Sequence, residues 1–304
     1  MSELVVETRG LVKRYGGPGQ KAVAAVDGLN MHVERGSIYG FLGRNGAGKT
    51  TTIRMLGGLA GPTSGSTRVL GLDPARDLTG ILERTGFMVD RVMMPYMTGI
   101  ELVKFNRAFF PRWSDALAKR YAETLEIPMD RKFRKLSQGN KTKLCLMLAL
   151  AQSPELLVLD EPTAGLDPVV TDQLLRVLVE DFANEGRTIL MSSHHLSEVE
   201  KIADWVGIID RGKLLLEARL DDIRANYRRV RAAGEGLPRE AREIVTVSAT
   251  EGVSDYVLCS AAEEFAARLR SNGAAILEVS PMNLSEIFLV LAGKENHVPV
   301  EVLA

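Results

Sequence analysis

The run Gly43-Arg44-Asn45-Gly46-Ala47-Gly48-Lys49-Thr50-Thr51 sets three glycines ahead of a lysine and two threonines. Glycines let consecutive backbone N–H groups face a phosphate, and a helix N-terminus directly behind them adds favourable partial charge. Lys49 would reach β- and γ-phosphates, and the Thr50 hydroxyl would ligate Mg²⁺. Far downstream, Leu156-Leu157-Val158-Leu159-Asp160-Glu161-Pro162 closes an apolar run with two adjacent carboxylates. Along a strand these would face opposite ways, so Asp160 suits the Mg²⁺ shell while Glu161 could orient or deprotonate an attacking water. Just before lies Leu136-Ser137-Gln138-Gly139-Asn140. Ser137 is a good N-cap, Gly139 permits close backbone approach, and a helix from about Lys141 would offer a second anion site. A chain with one phosphate loop has little use for such a site unless two nucleotides or two subunits meet.

These residues need elements to hold them. Residues 23–33 and 37–42 read as strands and 51–59 as a helix, the strand–loop–helix context a P-loop requires. Further apolar runs at 86–89, 156–159, 188–192 and 206–209 alternate with helical patterns, which predicts an α/β domain with a largely parallel sheet. Residues 92–151 read as a helical subdomain. There Thr98 and Glu101 form a capping box ahead of Leu102, Phe105 and Phe109, spaced along one face, and Leu144, Met147, Leu148 and Ala151 repeat such a stripe. The nucleotide domain is expected to span 1–222, followed by a charged, glycine- and proline-broken linker at 223–243. Residues 244–304 then read as a small α+β domain, with strands at 244–248, 256–259 and 276–279 and helices through Phe265 and Ile287.

Composition narrows the function. The chain has 304 residues, 45% of them hydrophobic and 25% charged, and a net charge of −1, so no bulk basic field draws it to nucleic acid or anionic lipid. Cys145 and Cys259 lack metal-ligand spacing and fit a reducing compartment. The N-terminus has no leader pattern and no stretch reaches the ~20 apolar residues of a membrane span. Any membrane part is therefore expected from another polypeptide.

Taken together, residues 1 to about 222 resemble the ATP-binding subunit of an ABC transporter, a P-loop NTPase. Leu136–Asn140 is similar to the family's LSGGQ signature, departing at Gln138 and Asn140 but keeping Ser137 and Gly139. Ala164-Gly165-Leu166-Asp167 resembles the D-loop that couples two subunits, and Ser192-Ser193-His194 resembles the switch-histidine motif, which implies that His194 rather than His195 would sense the γ-phosphate. Tyr15 sits where the family places an adenine-stacking aromatic. Asp90 stands where the family has glutamine. It is a third candidate for the metal, but a shorter, charged one with no amide to donate, so coupling to the partner is expected to differ.

The resemblance implies ATP and Mg²⁺ as ligands, and two copies, or one copy and a related ATPase subunit, paired head to tail. Each nucleotide would lie between one P-loop and the other subunit's Ser137, Gln138 and Gly139, and hydrolysis would release the pair. It implies a cytoplasmic subunit, peripheral on the inner face of the cell membrane, driving a separate permease. Residues 97–101 and 283–288 are similar to exporter-type subunits of the drug, lipid and polysaccharide group.

The rivals are a non-transport ABC ATPase working on a ribosome or nucleic-acid complex, and a P-loop kinase or GTPase. The first would normally carry two cassettes, a long coiled coil or zinc cysteines, and the second lacks the signature. No nucleic-acid partner is expected. Two weaker signals stay open: Met93, Met94, Tyr96, Met97, Phe110 and Trp113 as a docking groove or as core, and Arg228, Arg229 and Arg231 as a lipid or permease contact or as a solvated helix end.

Overall fold

The structure is a computed structural model, and it describes residues 3–16, 22–89, 94–250 and 252–293. The chain divides into two compact units, Met1–Leu214 and Leu215–Ala304.

The first unit opens with β1 (Leu4–Tyr15), β2 (Val23–Glu34) and β3 (Ile38–Leu42), then α1 (Lys49–Leu56), β4 (Ser64–Val69), α2 (Leu78–Leu82) and β5 (Thr85–Met88). The helices α3 (Gly99–Arg107), α4 (Asp115–Thr124) and α5 (Gln138–Ala151) follow. After them come β6 (Leu156–Asp160), α6 (Pro168–Arg176), β7 (Thr188–Ser193), α7 (Leu196–Val199) and β8 (Trp205–Asp210). A parallel sheet runs β5-β6-β7-β3-β8. Its inner strands β3 and β7 are buried at every residue, as expected where helices or another sheet cover both faces.

A second sheet, β2-β1-β4, is antiparallel throughout. It corrects the sequence reading twice. Strand 23–33 belongs here rather than beside the parallel strands, and β1 and β4 had no sequence signal. The pairing of β1 shifts register around Gly10, whose left-handed φ of +54° interrupts the alternation that marks a strand. Helix α1 packs against β2 and β4 on one side and β6 on the other, so Ile53, Met55 and Leu56 join Val26 and Met31 to Leu156 and Val158 in one core. The helix that carries the phosphate loop is thereby fixed from both sheets.

The helical stretch lies where its periodicity placed it, with two adjustments. The capping box is present: Thr98 Oγ1 accepts from Glu101 N at 3.2 Å, and Thr98 N donates to Glu101 Oε2 at 2.7 Å. Only Leu102 of the expected stripe is core, however. Phe105 and Phe109 are exposed and pack on each other with ring centroids 4.9 Å apart. On α5 every residue from Thr142 to Ala151 is buried, because α3, α4 and β5 surround it. Its helix begins at Gln138, three residues before the expected Lys141, since the Ser137 cap sits directly ahead of it.

β9 (Lys213–Arg219) carries the chain across the division at Leu214 and Leu215, earlier than the expected boundary at 222. The second unit continues with α8 (Leu220–Asn226), β10 (Arg228–Ala233), β11 (Ile244–Thr250), β12 (Val253–Leu258), α9 (Ala262–Ser271), β13 (Ala275–Pro281) and α10 (Leu284–Ala292). Its antiparallel sheet runs β11-β12-β10-β13, with Phe265, Ala266 and Leu269 of α9 on one face.

The expected linker at 223–243 therefore contains an internal strand. Val230 and Ala232 of β10 are fully buried, while the alternate arginines meet acids from other elements: Arg229 with Asp255 and Glu286, Arg231 with Glu278. Arg229 and Arg231 thus line a strand's polar face, whereas Arg228 stands at a helix end, its guanidinium donating to Arg224 O at 2.7 Å and Tyr227 O at 2.9 Å where α8 closes.

Candidate functional site

β3 delivers the chain into residues 43–48, and backbone geometry there demands glycine. A Cβ on Gly43 would lie 2.4 Å from the Ile209 carbonyl oxygen; one on Gly48, at φ +118°, would lie 2.5 Å from that of Ala25. The loop is tied to its surroundings by Gly43 N donating to Ser193 O and Gly212 N donating to Ala47 O. Arg44, Asn45 and Gly46 remain exposed, and Thr50 and Thr51 sit half-buried on the first turn of α1.

Lys49 is 5% exposed. Its ammonium donates to Gly43 O at 2.6 Å and Arg44 O at 3.3 Å, and lies 2.9 Å from Glu161 Oε1. Glu161 is not the next residue of a strand, as alternation had it. β6 ends at Asp160, and Glu161 takes a left-handed φ of +49°. The turn sends its carboxylate to Lys49 on one side and to His194 on the other, where Oε2 is 2.7 Å from Nδ1. Burial alone would raise the pKa of Glu161; the Lys49 ammonium and then His194 outweigh it and hold the carboxyl below its ordinary value. The group is thus an ionised, partly desolvated carboxylate beside a cation.

Ser192 links the two acids. Its hydroxyl donates to Asp160 Oδ1 at 2.6 Å and accepts from Glu161 N at 3.0 Å. The sequence held this residue in plain view, inside a motif read only for its histidine. His194 stacks on His195 with centroids 4.0 Å apart, and His195 is held through its N–H to Ser193 Oγ.

Phosphate loop, Asp160, Glu161 and His194 are therefore one cluster. The signature residues stand apart from it. Ser137 caps α5 by accepting from Asn140 N, and Gln138 is exposed. A Cβ on Gly139 would meet only Leu166 and Val170, at 3.8 and 3.9 Å, so the packing of this chain does not require glycine there. Asp167 N-caps α6, accepting from Val169 N and Val170 N. Tyr15, at the end of β1, is 47% exposed with the Lys13 ammonium 5.2 Å from its ring centre. Asp90 and Met93 lie outside the described residues. Met94 and Tyr96 are exposed, whereas Met97, Phe110 and Trp113 are half-buried.

Among the described residues no cluster of three or more His, Cys, Asp and Glu could hold a metal by itself. Thr50 offers a hydroxyl and Asp160 a carboxylate, donor types that suit a cation such as Mg²⁺ whose other ligands come from phosphate and water. Sequence reading also missed Glu155. Its carboxylate, ahead of β6, is gripped by Arg84 at 2.9 Å, Arg112 at 2.8 Å and Arg35 at 3.4 Å, which holds its pKa down to about 2.

Comparison with known proteins shows the family to which the chain belongs. Residues 26–164 match the family described as "ABC transporter". The chain is 41% identical to the bacitracin transport ATP-binding protein BcrA of Bacillus licheniformis over 74% of its own length and 73% of that protein. It is 32% identical to the Nod factor export ATP-binding protein I of Rhizobium meliloti, over 96% of its length and 89% of that protein. The solved structure of an ATP-binding subunit of an ABC transporter superposes with a TM-score of 0.64, at 26% identity, covering 73% of this chain and 92% of the other.

Proposed function

We propose, from the premise that this chain belongs to the ABC transporter family as an ATP-binding and ATP-hydrolysing subunit, that it powers export through a separate membrane permease as one half of a dimer closed by ATP. The observation that carries the reading is Glu161 held between the phosphate-loop lysine and His194 at the end of an apolar strand. Among the described residues no helix is long and apolar enough to cross a membrane. This reading gives the membrane path to a different chain and sets this one against the inner face of the membrane. The transport and export named for the two relatives support the direction.

In this reading the amides of residues 43–51 and the N-terminus of α1 cradle the β- and γ-phosphates, Lys49 neutralises them, and Tyr15 stacks on adenine. Mg²⁺, when bound, neutralises charge on the phosphate oxygens, and Thr50 and Asp160 are the residues that would hold it, with Asp90 as the further candidate. Glu161 accepts the proton of the attacking water and His194 contacts the γ-phosphate. Ser137, Gln138 and Gly139 bind the nucleotide of the second subunit; the unfilled side of Gly139 supports that placement, because a close approach from outside the chain explains a glycine that its own packing does not require. Asp167 and Asp90 would transmit the state of the site to the partner subunit and to the permease.

The test is Glu161→Gln with ATP. Sedimentation should show an ATP-dependent dimer with hydrolysis nearly abolished. A variant that stays monomeric and hydrolyses at the wild-type rate would refute the shared site.

A further inference from the structure

We propose that Ser192 is a positioning residue for hydrolysis, holding the metal-side carboxylate and the water-side carboxylate in one fixed relation. The inference rests on the roles given above to Asp160 and Glu161.

Ser192 is fully buried on β7, directly across the parallel ladder from Asp160. A serine hydroxyl has one proton and two lone pairs. Here Asp160 Oδ1 takes the proton at 2.6 Å, and the Glu161 amide is received at 3.0 Å. Each acid is held by a different property of the same oxygen.

Both grips matter to the reaction. With Oδ1 engaged, the Asp160 carboxylate cannot rotate freely, and its other oxygen keeps one direction for a cation. Glu161 holds a left-handed φ of +49°, a conformation a glutamate keeps only where its surroundings insist on it. The Ser192 oxygen is the acceptor of its amide at that turn, and the turn is what carries the carboxylate back to Lys49 and His194. The same strand end also receives Gly43 N on the Ser193 carbonyl and His195 N on the Ser193 hydroxyl. A residue beside Met191 on so buried a strand could as well be apolar for packing alone; the hydroxyl serves the two acids.

The experiment compares Ser192→Thr with Ser192→Val. The two fill the same volume, so the cost of an added methyl is common to both and only the hydroxyl differs. In the nucleotide-free protein, hydrogen exchange at the Glu161 amide should be at least tenfold faster in the valine variant than in the threonine variant. The Ile189 amide, bonded to Ser37 O, should be unchanged. In the ATPase assay the valine variant should lose at least tenfold in kcat and need severalfold more Mg²⁺ for half-maximal rate, with KM for ATP within twofold; the threonine variant should keep near wild-type values.

Equal Glu161 exchange and equal kcat in the two variants overturn the proposal. Should neither variant fold, Ser192→Ala against wild type supplies the same two measurements, and equal values there overturn it likewise. The exchange measurement needs no nucleotide, so a wild-type chain that failed to bind ATP would count against the functional reading and leave this comparison decisive by itself.

Discussion

Lys49 Nζ and Glu161 Oε1 lie 2.9 Å apart, which sets the ammonium of the phosphate loop on the carboxylate assigned to activate water. On the roles proposed for these residues, one cation would serve two anions in turn. A γ-phosphate arriving at the loop would have to take Lys49 from Glu161, and the carboxylate so released would be free to turn to a water.

Removing the charge of Glu161 should therefore favour nucleotide. Glu161→Gln is expected to bind a non-hydrolysable ATP analogue roughly three- to tenfold more tightly than wild type, up to about 1.4 kcal/mol. ADP, with no γ-phosphate to compete, should show less change. Equilibrium binding with both nucleotides checks the difference.

Two glycines should differ in what alanine costs them. At Gly139 the added Cβ meets only van der Waals contacts at 3.8 and 3.9 Å, so Gly139→Ala should leave Tm within about 2 °C while ATPase falls on the order of 100-fold through a misplaced phosphate. At Gly48 the φ of +118° and the Ala25 carbonyl oxygen 2.5 Å away leave no room. Gly48→Ala should cost about 1–3 kcal/mol of stability as well as nucleotide binding. Thermal melts with and without ATP separate the two.

Tyr15 is nearly half exposed and is not part of a buried core among the described residues. Tyr15→Ala should leave the melting temperature unchanged and weaken ATP binding about tenfold, within the ~1–3 kcal/mol typical of base–aromatic stacking. Tyr15→Phe should retain the affinity. Titration calorimetry distinguishes a stacking ring from a bystander.

Glu155 gives a pH signature. Arg84 and then Arg112 hold its carboxyl at about 2, against an ordinary 4.5, even though partial burial acts the other way. Because the folded-state pKa is the lower, the stabilisation is complete above 4.5 and disappears as pH falls towards about 2. At neutral pH it amounts to roughly 1–2 kcal/mol once solvent screening is allowed for. Urea melts of wild type and Glu155→Gln should differ by that amount at about pH 7, and the gap should narrow steadily through about pH 4 and 3.

The sequence made some of this legible and hid the rest for physical reasons. The phosphate loop, the Thr98–Glu101 box and the Ser137 cap are local, each complete within a few residues, and could be read directly. The antiparallel sheet could not: β1 finds its partners in β2 and β4, and Gly10 breaks the alternation on which a strand reading depends. Arg229 and Arg231 of β10 looked like part of a solvated run because Asp255, Glu278 and Glu286, which pair with them, lie far along the chain. The buried alternation of Val230 and Ala232 was the available clue. At the site, Asp160 and Glu161 were recognisable as a pair, but their arrangement depends on a left-handed turn and on Ser192, far along the chain.

The buried helix α5 sets a limit on how Ser137 and Gly139 can move. Its 14 residues make a rod about 21 Å long, enclosed along most of its length, whose last carbonyl, at Ala151, is tied to Ser114 N at 2.8 Å. Side chains so enclosed leave little scope for bending or fraying, so the tip travels only when the whole rod does. A tilt of about 5° at the Ala151 end would swing Ser137 through roughly 2 Å, from hydrogen-bonding distance of a phosphate oxygen to well beyond it. On the role proposed for Ser137 and Gly139, the helix would work as a lever with a long arm, converting a small push on the helical subdomain into an on-or-off contact at its far end.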